Sequence, residues 1–200
     1  DINGKPMLEH IIKKFIDEGF NHFILSVNYL KQKIKKHFKN GKKWNIKISY
    51  IEEKKPLGTI GSLSLLPKMK KDFFVVNCDV ITNLKFHEFL SFHKHHDADV
   101  TVGANIIEQI NSFGQITTKG LDIEKFEEKP SEKKYFNAGI YVFKKNVLNL
   151  IKKNKYMDAP ELINIMIKNK KKSVIFPIHE RWTDVGIHSE LKKIKKEKYD

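Results

Sequence analysis

The sequence contains one cysteine and one arginine, and it has no long hydrophobic run. The lone thiol, Cys78, excludes an intrachain disulfide and a cysteine-based zinc site, and it fits a reducing compartment. No run of about 18 apolar residues and no signal-peptide pattern is present. We therefore expect a soluble, cytoplasmic protein without a membrane partner.

Positive charge dominates the composition. The net charge is +14, from 38 basic and 24 acidic residues, and Arg181 is the only arginine. Base recognition and bidentate phosphate contacts favour arginine, and binding of single strands favours aromatic residues interleaved with basic ones, which this chain lacks. The lysines are scattered along the whole chain, so we interpret them as a solvated surface and expect no nucleic-acid partner. A basic nucleic-acid module stays an alternative, which salt-sensitive retention on DNA or RNA would test.

Helix and strand patterns alternate along the chain. Apolar residues at helical spacing predict helices from Met7 to Gly19, Tyr29–Phe38, Gly58–Leu66, Phe86–His95, Ala159–Ile167 and Glu190–Lys196. Alternating or continuous apolar runs predict strands at Phe23–Val27, Ile46–Ile51, Phe73–Asn77, Val100–Ile106, Gln115–Thr118, Ile123–Phe126, Phe136–Phe143 and Ser173–Ile178. This order predicts one α/β domain over residues 1–200, with a mostly parallel sheet and antiparallel additions in the second half.

Asp79 is the first candidate functional residue. It follows the apolar run Phe73–Val76, which is typical of a strand buried on both faces. Ligands of open α/β sheets bind beyond the carboxyl ends of the strands, so a carboxylate there faces a crevice. A turn-forming or helix-capping aspartate is the alternative.

A glycine-containing loop connects the second predicted strand to the next helix. It runs from Glu52 through Pro56, Gly58 and Gly61 to Ser62. Glycines in such a loop let backbone N–H groups approach an anion or a flat base. Two glycines alone are weak evidence for such a site, and an ordinary turn is the favoured interpretation of this loop taken by itself.

Two further motifs combine polar residues with strands. Glu128 and Lys129 follow Phe126 and precede Pro130, and they offer an acceptor for sugar hydroxyls and a cation for a phosphate. A surface ion pair is the alternative. Asn137, with Ala138 and Gly139, precedes an apolar run at what we expect to be another strand edge, and a plain buried strand is its alternative.

Asp184 lies in the segment Trp182-Thr183-Asp184-Val185-Gly186, which we predict to be a turn. Mg²⁺ prefers one or two carboxylates together with waters and substrate phosphates, so Asp79 and Asp184 could hold it jointly. An isolated turn-forming aspartate is the alternative.

These motifs, in this order, resemble the sugar-phosphate nucleotidyltransferases (nucleoside-diphosphate-sugar pyrophosphorylases) from Asn3 to the end of the chain. The motifs are Pro56-Leu57-Gly58-Thr59, Asn77-Cys78-Asp79, Phe126-x-Glu128-Lys129-Pro130, Asn137-Ala138-Gly139 and Trp182-x-Asp184-Val185-Gly186. The tail from Tyr156 to Glu180 resembles a bacterial branch that is associated with guanylyl transfer and often joined to regulatory domains. The resemblance implies a Rossmann-like three-layer α/β fold with a mixed, mostly parallel sheet.

The resemblance also implies a reaction and a set of site residues. A nucleotidyl group would pass from a nucleoside triphosphate, with GTP favoured, to a sugar-1-phosphate, giving a nucleotide sugar for surface polysaccharide or glycoconjugate synthesis and releasing pyrophosphate. The implied residues are Glu53, Pro56, Gly58 and Thr59 at the nucleotide, Gly114, Glu128 and Asn137 at the sugar, Lys129 at its phosphate, and Asp79 and Asp184 at Mg²⁺. The nucleophile is already anionic, so no general base is needed. We accordingly expect histidines such as His93, His95 and His96 on the surface.

The chain departs from the family pattern at two places. Cys78 replaces the usual glycine of the Asn-Gly-Asp strand end, and the glycine-rich N-terminal loop with its arginine and following lysine is absent. Lys5 lies in a later Gly-Lys-Pro element and is not that lysine. The pattern also starts on a helix, so we expect a fragment of a longer protein that lacks its first strand and is inactive alone. A non-catalytic sugar-nucleotide-binding or regulatory subunit is the alternative function. A homo-oligomer and a fused regulatory domain are both compatible with the resemblance.

Overall fold

The computed structural model describes residues 4–186, which form five α-helices and ten strands. The helices are α1 (Met7–Asp17), α2 (Lys31–Phe38), α3 (Gly58–Gly61), α4 (Phe86–His95) and α5 (Ala159–Lys168). The strands are β1 (His22–Val27), β2 (Lys47–Glu52), β3 (Phe73–Val76), β4 (Val80–Thr82), β5 (Val100–Ile110), β6 (Gln115–Lys119), β7 (Asp122–Glu127), β8 (Ser131–Phe143), β9 (Ser173–Ile178) and β10 (Trp182–Asp184). Short 3₁₀ turns cover Lys42–Trp44, Ser62–Leu65 and Lys145–Leu150. The predicted helix Glu190–Lys196 lies outside the described residues. No helix within residues 4–186 is long and apolar enough to span a membrane.

The central sheet has four strands in the order β3-β8-β5-β9. Strand β8 runs antiparallel to both of its neighbours, β3 and β5, whereas β5 and β9 are parallel. Strands β3, β5 and β9 therefore point the same way. The remaining strands form a parallel β1-β2 pair and two antiparallel pairs, β4-β10 and β6-β7. The predicted α/β class with a mixed sheet and antiparallel additions is confirmed. We expected the sheet to be mostly parallel: three of the four central strands do point the same way, but only two of the six pairings among the described strands, β1-β2 and β5-β9, are parallel.

Helices cover both faces of this sheet, which gives three layers. Along β8, Ile140 and Val142 pack into a cluster with α1 and α4, while Tyr141 and Phe143 pack into a second cluster with α5. This alternation follows from the two-residue period of a strand. Both faces of the strand are buried in this part of the chain, so its sequence is almost continuously apolar. A third cluster joins α1 and α2 to the β1-β2 pair.

Three sequence-based predictions about the local structure are wrong. Trp182–Asp184, which we predicted to be a turn, is a strand paired with the equally short β4. Its hydrogen-bond partners lie about a hundred positions away in the sequence, so no local pattern indicates the strand. Asn137 lies inside β8, not at its start, because exposed residues from Ser131 onward continue the pairing with β5. The segment from Gly58 forms only one α-helical turn before it tightens into a 3₁₀ turn at Ser62–Leu65.

His93 is buried, contrary to the surface position that we expected. Its side chain is 1% exposed on the inner face of α4, where Nδ1 lies 2.8 Å from the hydroxyl of Thr101. The carboxylate of Asp72 lies 3.8 Å from the other ring nitrogen, which has no hydrogen-bond partner among the described residues. Burial lowers the pKa of His93, because removing water from the ring disfavours its charged form.

Candidate functional site

The end of β3 and the strand β10 bring Asp79 and Asp184 to one place. The pairing of β10 with β4 sets Asp184 opposite Val80, the residue after Asp79. The N–H of Val185 then donates a 2.8 Å hydrogen bond to the carbonyl of Asp79. The two acidic residues are more than a hundred positions apart in sequence, and this short ladder makes them neighbours.

Gly186 shows how closely the two carboxylates approach each other. A Cβ atom at Gly186 would lie 3.0 Å from Oδ1 of Asp184 and 3.3 Å from Oδ2 of Asp79. The N–H of Gly186 donates a 2.8 Å hydrogen bond to the same Oδ1 of Asp184. Both carboxylates therefore border one small space, which glycine keeps open.

The neighbouring part of β8 is fitted against the end of β3. The N–H of Asn77 donates to the carbonyl of Gly139 at 2.9 Å. Gly139 has a φ of +69°, and a Cβ there would lie 2.8 Å from Nδ2 of Asn77, so this contact requires glycine. Oδ1 of Asn77 is buried without a hydrogen-bond partner among residues 4–186. An acceptor of this kind is available to a donor on a ligand or a water.

Asn137 belongs to the same cluster. Its Oδ1 accepts a hydrogen bond from the N–H of Gly139 at 3.1 Å, and its Nδ2 donates to the hydroxyl of Tyr141 at 2.6 Å. The indole N–H of Trp182 donates to the carbonyl of Ala138 at 2.9 Å. The structure thus places Asn137 near the strand end that carries Asp79, although its amide is partly engaged within the chain.

Glu53 holds the glycine-containing loop from its N-terminal side. One carboxylate oxygen accepts a 2.6 Å hydrogen bond from the hydroxyl of Ser26, and the other accepts a 2.9 Å bond from the N–H of Leu57. The amide of Asn28 donates to the carbonyl of Glu53 at 2.9 Å. Both carboxylate oxygens of Glu53 therefore make contacts inside the chain that fix the start of the loop.

The same loop is held from its other side by residues at the start of α5. The side chain of Asp158 accepts hydrogen bonds from both the N–H and the hydroxyl of Thr59, each at 3.0 Å. Asp158 is not among the site residues predicted from the sequence. An aspartate before Ala-Pro is a recognisable helix-capping signal, but its side chain makes no capping bond to α5. It binds a loop 99 residues away instead.

The predicted sugar residues lie on the antiparallel extension formed by β5 to β8. A Cβ at Gly114 would lie 3.1 Å from Oε2 of Glu128 and 2.9 Å from the ring of Phe126, so Gly114 and Glu128 are close neighbours. Lys129 is exposed in the turn after β7 with a φ of +46°. Its ammonium group makes no hydrogen bond or ion pair within the described part of the chain, so it can meet an anion.

Two other groups near the site have shifted pKa values. Burial raises the pKa of the Tyr141 hydroxyl, opposed by the hydrogen bond from Asn137. Loss of water around the thiol raises the pKa of Cys78, and the adjacent Asp79 carboxylate raises it further. The Cys78 residue is nevertheless exposed. A thiol with a raised pKa is a poor nucleophile, so Cys78 is not suited to covalent catalysis.

The side chains around Asp79 and Asp184 indicate which kind of metal ion the site could hold. No group of three or more His, Cys, Asp or Glu side chains able to hold a metal occurs within residues 4–186. A closed all-protein site of the zinc type is therefore absent from this part of the chain. Two carboxylates around an open space suit Mg²⁺, which retains waters and binds substrate phosphates.

The fold and the site together define an α/β protein with two converging carboxylates and a glycine loop held at both ends. A model of the nucleotidyl transferase family matches residues 1–199, and the chain belongs to that family. It is 32% identical over 195 residues to the mannose-1-phosphate guanylyltransferase catalytic subunit beta of Xenopus tropicalis, covering 93% of this chain and 54% of that protein. It is 32% identical over 200 residues to a mannose-1-phosphate guanyltransferase of Schizosaccharomyces pombe, again with 93% and 54% coverage.

The chain thus spans about half the length of the curated relatives it matches. Among solved structures, HddC from Yersinia pseudotuberculosis superimposes with a TM-score of 0.75 at 23% identity, over 98% of this chain and 87% of that one. The same protein has also been solved in complex with GMP-PN, with the same similarity. This likeness confirms the Rossmann-like fold. The two relatives named above are eukaryotic, and the resemblance to a bacterial branch stays a prediction.

Proposed function

We propose that this chain forms the catalytic part of a sugar-1-phosphate nucleotidyltransferase. The convergence of Asp79 and Asp184 on the space beside Gly186 carries this proposal. The relatives named mannose-1-phosphate guanylyltransferase support guanylyl transfer, which makes GTP the favoured nucleotide and mannose-1-phosphate the first sugar phosphate to test. The product would be a nucleotide sugar for surface polysaccharide or glycoconjugate synthesis, made in the cytoplasm.

In the proposed reaction, a phosphate oxygen of the sugar-1-phosphate attacks the α-phosphorus of the nucleoside triphosphate. A new P–O bond forms, the bond from the α-phosphorus to the bridging oxygen breaks, and pyrophosphate leaves with that electron pair. The attacking oxygen carries negative charge, so no proton has to be removed. The chain accordingly contributes alignment and charge neutralisation.

The side chains divide this work by their positions. Asp79 and Asp184 would hold Mg²⁺, which when bound neutralises phosphate charge and orients the reacting groups. Lys129, exposed in its turn, would bind the phosphate of the sugar-1-phosphate. Gly114, Glu128 and Asn137 would meet the sugar, and the loop with Pro56, Gly58 and Thr59 would receive the nucleotide. Glu53 would act there by fixing the loop, since both of its carboxylate oxygens have partners in the chain.

Pyrophosphate release tests the proposal. GTP, UTP, CTP and dTTP are each combined with mannose-1-phosphate and other sugar-1-phosphates in the presence of Mg²⁺. The assay uses the 200-residue chain and, if the gene encodes residues ahead of Asp1, the extended protein. Asp79→Asn should lower the rate about a hundredfold or more, as expected when a charge-stabilising group is lost. Asp122→Asn is the matched control, since it removes one carboxylate from the first residue of β7, at the opposite end of the β6-β7 hairpin from Gly114 and Glu128, and should leave the rate unchanged.

The outcomes separate enzyme from binding protein. Turnover that depends on Asp79 but not on Asp122 supports the enzyme and names its substrates. Turnover that survives Asp79→Asn would remove the carboxylate pair from the mechanism. If no pair of nucleoside triphosphate and sugar-1-phosphate gives pyrophosphate release, but nucleotide sugars bind measurably, the protein would be a non-catalytic sugar-nucleotide-binding subunit.

A further inference from the structure

Met157 and Asp158, just ahead of α5, are hydrogen-bonded to the loop Leu57–Gly61, the part of the glycine-containing loop that includes the short helix α3. The N–H of Met157 donates to the carbonyl of Leu57 at 2.9 Å. The carbonyl of Met157 in turn accepts hydrogen bonds from the N–H groups of Ile60 and Gly61, both at 3.0 Å. These backbone bonds hold the start and the end of the loop, whereas Asp158 holds the N–H of Thr59 in its middle.

The two glycines of the loop show that the loop packs against the segment Lys155–Asp158 too closely for a side chain to fit between them. A Cβ at Gly58, which has a φ of +76°, would lie 2.7 Å from both Oδ1 of Asp158 and the carbonyl oxygen of Met157. A Cβ at Gly61 would overlap the carbonyl oxygen of Lys155. The carboxylate of Asp158 therefore lies against the backbone at the place where a side chain would otherwise be.

Asp158 is itself fixed by a third hydrogen bond. The hydroxyl of Tyr156 donates a 2.7 Å hydrogen bond to Oδ2, while Oδ1 serves Thr59. The hydrogen bonds from Thr59 and Tyr156 lower the pKa of Asp158, so the charged form that accepts all three bonds is favoured at neutral pH. Bonds to a charged acceptor are stronger than bonds between neutral groups.

We propose that Asp158 is a positioning residue for the nucleotide: it holds the loop Leu57–Gly61 in the conformation that receives the nucleotide, without touching the sugar phosphate. The proposal rests on the proposed function, because that function assigns the loop to the nucleotide. It predicts that Asp158 controls the KM for the nucleoside triphosphate much more than the KM for the sugar-1-phosphate. A purely structural residue would instead lower the amount of folded enzyme and leave both KM values alone.

Amide hydrogen exchange tests the contact without any substrate. In Asp158→Ala the Thr59 amide loses its acceptor, and we expect it to exchange about tenfold faster or more, as the loss of a charge-assisted bond implies. Amides of the distant helix α4 serve as the internal control and should be unchanged. Asp158→Asn retains a side-chain oxygen for Thr59 and should restore most of the protection. Equal exchange at Thr59 in the original protein and in Asp158→Ala would overturn the proposal.

Kinetics test the consequence. The kinetics use the substrate pair that proves active. Asp158→Ala should raise the KM for the triphosphate about tenfold and change the KM for the sugar-1-phosphate less than twofold. Asp158→Asn should raise the KM for the triphosphate less than Asp158→Ala does. Tyr156→Phe removes the bond to Oδ2 but leaves both Thr59 contacts with Oδ1, so it should raise the KM for the triphosphate less than Asp158→Ala does. Equal rises in both KM values, or a fall in kcat alone, would overturn the proposal. If the original protein is inactive with every pair, the proposed function fails, whereas the exchange result still shows whether Asp158 holds the loop.

Discussion

Replacing Gly186 by alanine is a sharp test of the carboxylate site, because it adds one methyl group where the two acids meet. The new Cβ would lie 3.0 Å from Oδ1 of Asp184 and 3.3 Å from Oδ2 of Asp79. Both separations are shorter than ordinary van der Waals contact, so at least one carboxylate must move by a few tenths of an ångström. The φ of Gly186 is not in the left-handed region, so alanine causes no backbone strain there.

The expected loss is in activity, not in stability. A misplacement of about 1 Å can cost about a hundredfold in rate. A smaller shift of one of the two carboxylates that we propose to hold Mg²⁺ should therefore lower kcat/KM about tenfold to thirtyfold, which corresponds to about 1.4–2 kcal/mol of transition-state stabilisation. Gly186 is exposed, and alanine restricts the unfolded chain, so the free energy of unfolding should change by less than about 1 kcal/mol.

Gly120→Ala is the matched control. Gly120 lies in the β6-β7 turn with a φ of +63°, and a Cβ there would have no atom of the described residues within 4 Å, so alanine meets open space but an unfavourable backbone. It should lower the free energy of unfolding by about 1–2 kcal/mol while leaving kcat/KM unchanged. The measurements are pyrophosphate release and urea unfolding for both variants. If Gly186→Ala keeps full activity, the space between Asp79 and Asp184 does not hold the reacting groups.

Three further predictions concern stability. Burial lowers the pKa of His93, so the unfolded chain binds a proton at a higher pH than the folded chain does. This contribution to stability is fully present above the unfolded-state pKa of about 6.5 and is lost as the pH falls from there through the lower pKa of the folded state. His93→Gln should therefore flatten the fall of the urea-unfolding midpoint between about pH 7.5 and 5.5. Gly58→Ala combines a φ of +76° with 2.7 Å contacts and should cost about 2–4 kcal/mol in urea unfolding; an unchanged midpoint would contradict the tight loop contact. Phe89 is fully buried whereas Phe113 is 78% exposed, so Phe89→Ala should cost about 3–5 kcal/mol and Phe113→Ala less than about 0.5; similar losses would contradict the described core.

Most helices and strands could be predicted from the sequence, because the spacing of apolar residues and the residues that end an element are local features of the chain. The bounds of α4 (Phe86–His95) and β9 (Ser173–Ile178) match the predicted ones residue for residue. The strand-end position of Asp79 also followed from the apolar run before it. The strands β4 and β10 were missed because three residues are too few to show a period, and each exists only through pairing with the other.

The sequence by itself therefore determined the α/β class, the main helices and strands, and Asp79, Asp184 and the glycine loop as candidates. Only the tertiary structure decided which of these groups meet. The β4-β10 ladder places both carboxylates beside Gly186, and the start of α5 places Asp158 on Thr59, 99 residues away. His93 is buried for the same kind of reason, since Thr101 on β5 supplies its partner. Such contacts depend on how helices and strands that are far apart in sequence pack together. The residue pattern along the chain does not give the distances between these elements.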